Sequence, residues 1–71
     1  MSTDIKLRLA KKLKKLRKER KFTQEQLAEL SGVDYKHIQL LEGKNPSAVK
    51  IDTIEKLAKA FKISPAKLLD F

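Results

Sequence analysis

Ten of the residues from Lys6 to Lys21 are Lys or Arg. A run of fixed positive charge this dense can hold a polyanion by ion pairing and counterion release. The whole chain carries 17 Lys and Arg against 9 Asp and Glu, a net charge of +8 in 71 residues, and its pI is near 9.9. Plain solvation of a small basic protein is the bland reading of that charge. An anionic membrane surface is another, because the N-terminal segment is both basic and amphipathic. A second group of hydrogen-bond donors, Lys44, Asn45 and Ser47, sits on the irregular segment GKNPSAVK. Bond-making chemistry has no equivalent residues. There is no Ser/His/Asp set, no paired buried carboxylates and no glycine-rich phosphate loop. One His and no Cys exclude a thiolate metal site and a disulfide, and a single His cannot build a zinc site alone. The expectation is a binding protein, not an enzyme, with no cofactor and no metal.

These charges need a scaffold, and the chain predicts an all-α one. Ile5, Leu9, Leu13 and Leu16 recur at steps of four, four and three, which is one stripe of a helix over Ile5 to Arg20. Ser2 or Thr3 is available to cap it. Thr23 followed three residues later by Gln26 is a helix-start signature, and Phe22 before that cap can staple onto Leu27. The second helix runs from about Gln24 to Ser31, with Leu27, Ala28 and Leu30 as its apolar face. Gly32 follows where a chain leaving a helix needs φ > 0. Asp34 can cap a third helix, about Tyr35 to Glu42, with Ile38 and Leu41 inward and Gly43 as its terminator. Two short helices joined by a Gly-containing turn make a helix-turn-helix, here about residues 23–42, and the second helix of such a unit can enter a DNA major groove.

The rest of the chain completes a small helical core. Asn45-Pro46 marks a turn. A fourth helix, from Ile51 or Thr53 to Phe61, places Ile51, Ile54, Leu57, Ala58 and Phe61 on one face. Ser64-Pro65 starts a fifth, about Pro65 to Asp70. No strand, repeat or low-complexity linker interrupts the pattern. The expected core is Leu9, Leu13, Leu16, Phe22, Leu27, Ala28, Val33, Ile38, Leu41, Ile54, Leu57, Ala58, Phe61, Ile63 and Leu68. Length predicts one domain over 1–71. Nothing resembles a signal peptide or a membrane span of roughly 18 apolar residues, so the expected compartment is the cytoplasm.

Three segments in order carry a further signal: LRKERKFTQEQLAELSGV, then I-x-x-L-E-G-K-N-P, then TIEKLAKAFKISPAKLL. Together they resemble the Cro and lambda-repressor-like helix-turn-helix family, of the xenobiotic-response-element type, over roughly Leu9 to Leu69. The resemblance implies a compact five-helix domain that binds double-stranded DNA and regulates transcription. It implies a structural ion pair between Arg17 and Glu42, with the guanidinium's remaining donors turned to phosphate. It also implies that Gln24, at the start of the second helix, meets a phosphate. By position, Tyr35, Lys36 and Gln39 look like readers of base edges. His37 lies at the rim, within reach of phosphate, and Lys44, Asn45 and Ser47 fall on the loop that lies along the backbone. Leu40 stands where relatives carry a polar reader; its place is a thymine methyl, the core or a partner surface.

Relatives of this kind commonly dimerise on two half-sites about 34–36 Å apart. Phe61, Leu68, Leu69 and Phe71 are the apolar residues expected to form such a homodimer interface. The alternatives are a protein-interaction module on the same fold, such as an antitoxin that pairs with a toxin, and a non-specific nucleic-acid binder. The last lacks the exposed aromatic platform that base stacking needs.

Overall fold

The computed structural model describes residues 4–44, 46 and 48–71. It contains α1 (Ile5–Glu19), α2 (Gln24–Ser31), α3 (Tyr35–Glu42), α4 (Ile51–Ala60) and α5 (Pro65–Leu68). No strand occurs among the described residues. α3 packs on both α1 and α2, α4 packs on α2, and α5 closes against α4.

The helix ends follow local chemistry. Ser2 and Thr3 lie outside the described residues, and the cap of α1 is Asp4, whose carboxylate accepts from the Lys6 amide at 2.9 Å. The α2 start is a complete capping box: the Gln26 amide donates to Thr23 Oγ1 at 3.0 Å, and the Thr23 amide donates to Gln26 Oε1 at 2.8 Å. Asp34 stands at the N-cap of α3 but makes no side-chain cap bond. Ser64 caps α5 by accepting from the Lys67 amide at 3.1 Å, with Pro65 in the first turn. That last helix stops at Leu68, two residues short of the expected end.

α1 and α4 end in the same way. The Phe22 amide donates to the Arg17 carbonyl at 2.9 Å and the Lys21 amide to Lys18 at 3.0 Å. At the end of α4, Ile63 donates to Ala58 at 3.0 Å and Lys62 to Lys59 at 3.0 Å. These paired 6→1 and 5→2 bonds define Schellman motifs. Their left-handed residues are Lys21 and Lys62, both at φ 59°, positions where glycine is the usual and less strained choice.

The turn of the helix-turn-helix does use glycine. Gly32 has φ 76° and its amide donates to Ala28 at 2.9 Å. Buried Ser31 stitches the same turn, donating from Oγ to the Leu27 carbonyl at 2.7 Å and accepting from the Val33 amide at 3.1 Å. Gly43 ends α3 as expected, yet its backbone is extended at φ −79°. Its small size matters for a different reason, because a Cβ there would lie 3.3 Å from the Gln39 carbonyl oxygen.

Leu13, Leu27, Ile38, Leu41, Leu57, Phe61 and Leu68 are the largest fully buried side chains, each contributing about 1.5–3 kcal/mol by leaving water. Phe22 reaches out of the α1–α2 turn and stacks on Phe61, ring centroids 6.2 Å apart. Three residues of the expected apolar faces, none of them in the expected core, face solvent: Ile5 at 64%, Leu30 at 57% and Ile51 at 86% exposure. Ile5 and Ile51 are the first residues of their helices. Leu30 falls at the edge of the α2 stripe. Conversely Ala10, Thr53 and Pro46 are buried.

Candidate nucleic-acid interface

α3 is held by its inner face and one buried charge. Ile38 and Leu41 are 0% and 2% exposed, so residues at the other angular positions of the helix are left outward. Its last residue, Glu42, is anchored to α1. Arg17 Nε donates to Glu42 Oε2 at 2.8 Å and Nη2 donates to Oε1 at 3.0 Å. The two side chains are 13% and 3% exposed. Arg17 Nη1 also donates to the Phe22 carbonyl at 2.9 Å, tying the ion pair to the α1–α2 turn. Gln24 Nε2 adds a third hydrogen bond to the carboxylate, 3.2 Å from Oε1. One glutamate thus gathers the end of α3, the last turn of α1 and the start of α2. Among the described residues it takes part in the only salt bridge, which leaves the charges of the outer surface unneutralised by direct pairing.

This network changes what Arg17 and Gln24 offer a ligand. Three of the five N–H groups of Arg17 are used inside the protein. The Gln24 amide nitrogen has one hydrogen committed to Glu42, leaving its other hydrogen and its carbonyl. At the same helix start, the capping box satisfies Gln26 and Thr23, while the amides of Gln24 and Glu25 have no intrahelical acceptor.

The outward side of α3 holds Tyr35, Lys36, Gln39 and Leu40, all exposed. Leu40, at 55% exposure, is not core. His37 is half-buried at the edge. Gln39 Nε2 donates to the Tyr35 hydroxyl at 3.1 Å, one helical turn back. Lys44 is exposed just beyond α3; Asn45 and Ser47 lie outside the described residues. A shallow cleft of about 330 Å³ next to Lys44 is bordered by Lys11 and Lys14 of α1. The basic run of α1 therefore reaches the loop after α3. Sequence reading recognised the run but could not tell which of its lysines adjoin that loop.

The expected dimer surface divides in two. Phe61 and Leu68 are 0% exposed; they are core of this chain, because a domain this small has few other groups to fill the space between α4 and α5. Leu69 and Phe71 remain accessible at 40% and 41%. The Arg8 guanidinium lies 5.8 Å from the Phe71 ring centre, and Lys12 Nζ donates to the Asp70 carbonyl at 3.0 Å. Beside them, Leu69 joins Ile5, Leu9, Ala48, Val49 and Ile54 around an apolar groove of about 430 Å³.

Among the described residues no cluster of His, Cys, Asp or Glu could hold a metal ion, and no helix is long and apolar enough to cross a membrane. Comparison with curated proteins and with solved structures returned no match. Comparison with family models matched residues 12–71, from the middle of α1 through α5. The matched span contains the buried Arg17–Glu42 pair, the Gly32 turn and the outward face of α3, and the chain belongs to the family of Cro/C1-type helix-turn-helix DNA-binding domains.

Proposed function

We propose that this protein is a cytoplasmic, sequence-specific transcriptional regulator that places α3 in the major groove of double-stranded DNA and acts as a homodimer on a two-fold-symmetric operator. It works by binding, without catalysis. The observation that carries this reading is the outward set Tyr35, Lys36, Gln39 and Leu40 on a helix immobilised by a buried ion pair. Lys can donate to guanine O6 and N7, Gln can pair with adenine, and Leu40 suits a thymine methyl. Affinity comes from phosphate contacts. Gln24 and the open amides at the start of α2 supply one set. Lys44 supplies another, joined by Lys11 and Lys14, with His37 and the remaining donors of Arg17 at the rim. Asn45 and Ser47 are assigned to the same backbone contact from sequence.

Dimerisation uses the accessible apolar surface at Leu69, Phe71 and the groove beside Ile5. A partner protein is the second reading, favoured by exposed Leu40 on the outward side of α3. Selection from a random duplex pool at about 150 mM salt tests the proposal. Enrichment of a symmetric motif with half-site centres about 34–36 Å apart supports it. Binding that only fades with salt, without enrichment, refutes base reading by α3.

A further inference from the structure

Tyr35 and Gln39 are one turn apart on the outward side of α3, where residues at i and i+4 meet. The Gln39 side chain leans back toward the helix N-terminus, and its Nε2 donates to the Tyr35 hydroxyl at 3.1 Å. This contact alters what the glutamine can read. A free Gln amide offers two N–H donors and one carbonyl acceptor. Adenine presents an acceptor at N7 and a donor at N6 in the major groove, whereas guanine presents two acceptors, N7 and O6. With one amide hydrogen committed to Tyr35, Gln39 retains one donor and one acceptor. That is the adenine pattern, and it leaves one donor too few for guanine.

We propose that Tyr35 is a positioning residue that sets Gln39 as an adenine reader and discriminates against guanine at the same base pair. The inference rests on the reading of α3 as the base-reading helix. Tyr35 accepts from Gln39, so its own hydroxyl hydrogen stays free to donate to a phosphate or to thymine O4. The two side chains then act as one recognition unit spanning a base and its neighbour. Held in this way before binding, Gln39 loses less rotamer freedom on contact with DNA.

The test uses the whole protein, the operator found by selection, and operators changed at each base pair in turn. Wild type, Tyr35→Phe, Gln39→Ala and the double variant are compared by equilibrium binding. Tyr35→Phe keeps the ring and removes the acceptor, at a position 39% exposed, so the fold is expected to persist. Gln39→Ala should weaken binding about 5- to 150-fold and flatten preference at one base pair. Tyr35→Phe should lower the adenine-over-guanine ratio at that same base pair by about 3- to 10-fold, the range of one net hydrogen bond. In the double variant that effect should vanish, because there is no glutamine left to position. An unchanged ratio in Tyr35→Phe, or fully additive losses, overturns the role of Tyr35 while leaving base reading by Gln39 intact. If Gln39→Ala alters preference at no base pair, the reading of α3 fails and this inference falls with it.

Discussion

Replacing Arg17 with Ala should remove a large part of the folding free energy. The Glu42 side chain is 3% exposed and accepts two of its three hydrogen bonds from Arg17. Without the guanidinium, the carboxylate keeps only the Gln24 amide at 3.2 Å. The Phe22 carbonyl also loses its donor. Breaking a buried ion pair by deleting one partner costs about 3–5 kcal/mol, most of it the penalty of leaving the other charge dry and unpaired. At roughly 0.05–0.15 kcal/mol per residue, a chain of this length has a total stability of about 4–11 kcal/mol. The variant should therefore lose on the order of 15–30 °C in Tm, with a matching fall in the urea midpoint at unchanged slope. Arg17→Lys keeps the charge but loses the forked geometry, and should fall between, at about 1–3 kcal/mol. Arg17→Met combined with Glu42→Leu removes both charges and should recover most of the loss. An Arg17→Ala variant that loses less than about 1 kcal/mol would behave like an exposed pair; that result would refute the claim that this bridge sets the position of α3.

The remaining predictions concern termini and surfaces. Lys21→Gly and Lys62→Gly should each stabilise the protein by about 0.5–1 kcal/mol. Relief of left-handed strain, about 1–2 kcal/mol, exceeds the added freedom of glycine in the unfolded chain; urea titration reads the gain, and a loss would mean the lysine side chains make contacts that matter more. Thr23→Ala should cost about 1 kcal/mol because its hydroxyl caps α2, whereas Asp34→Ala should cost only a few tenths because that carboxylate caps nothing; equal losses in thermal unfolding would contradict the capping geometry. Lys44→Ala should weaken binding to all duplexes alike and reduce the slope of log affinity against log salt by about one. Ile5→Lys with Leu69→Lys should convert a dimer to monomer in sedimentation velocity and remove any dependence of Tm on protein concentration, with the monomer still folded because both side chains are exposed in it; a wild-type protein that is monomeric at operator-binding concentrations would remove the dimer from the proposal.

How much of this was legible beforehand depends on the range of the physics involved. Helix starts and stops are local. Thr23 with Gln26, Gly32, and Ser64 with Pro65 each satisfy or open backbone groups within a few residues, so their types alone placed the ends of α2 and α5's start correctly. The same is true of large apolar residues on a 3.6-residue period, which identified Leu13, Leu27, Ile38, Leu41, Leu57, Phe61 and Leu68 as core. The Arg17–Glu42 pair, 25 positions apart, was available only through resemblance to a family, because no local rule joins residues so distant in the chain.

Periodicity says which side of a helix turns inward but not how far the neighbouring elements extend to cover it. Ile5 and Ile51 lie on apolar stripes and remain exposed, while Ala10, Ser31 and Thr53, outside the expected core, are buried. Likewise Phe61 and Leu68 were expected both in the core and in a dimer interface, and packing of α5 on α4 decided between the two: both are covered by this chain itself. Residue types determined the helices, the turn, the charge and the candidate reading face. Tertiary packing decided which charges are neutralised: Glu42 sits within reach of Arg17 and Gln24 together, 25 and 18 positions away in the chain, a distance over which no local rule of helix or turn chemistry operates.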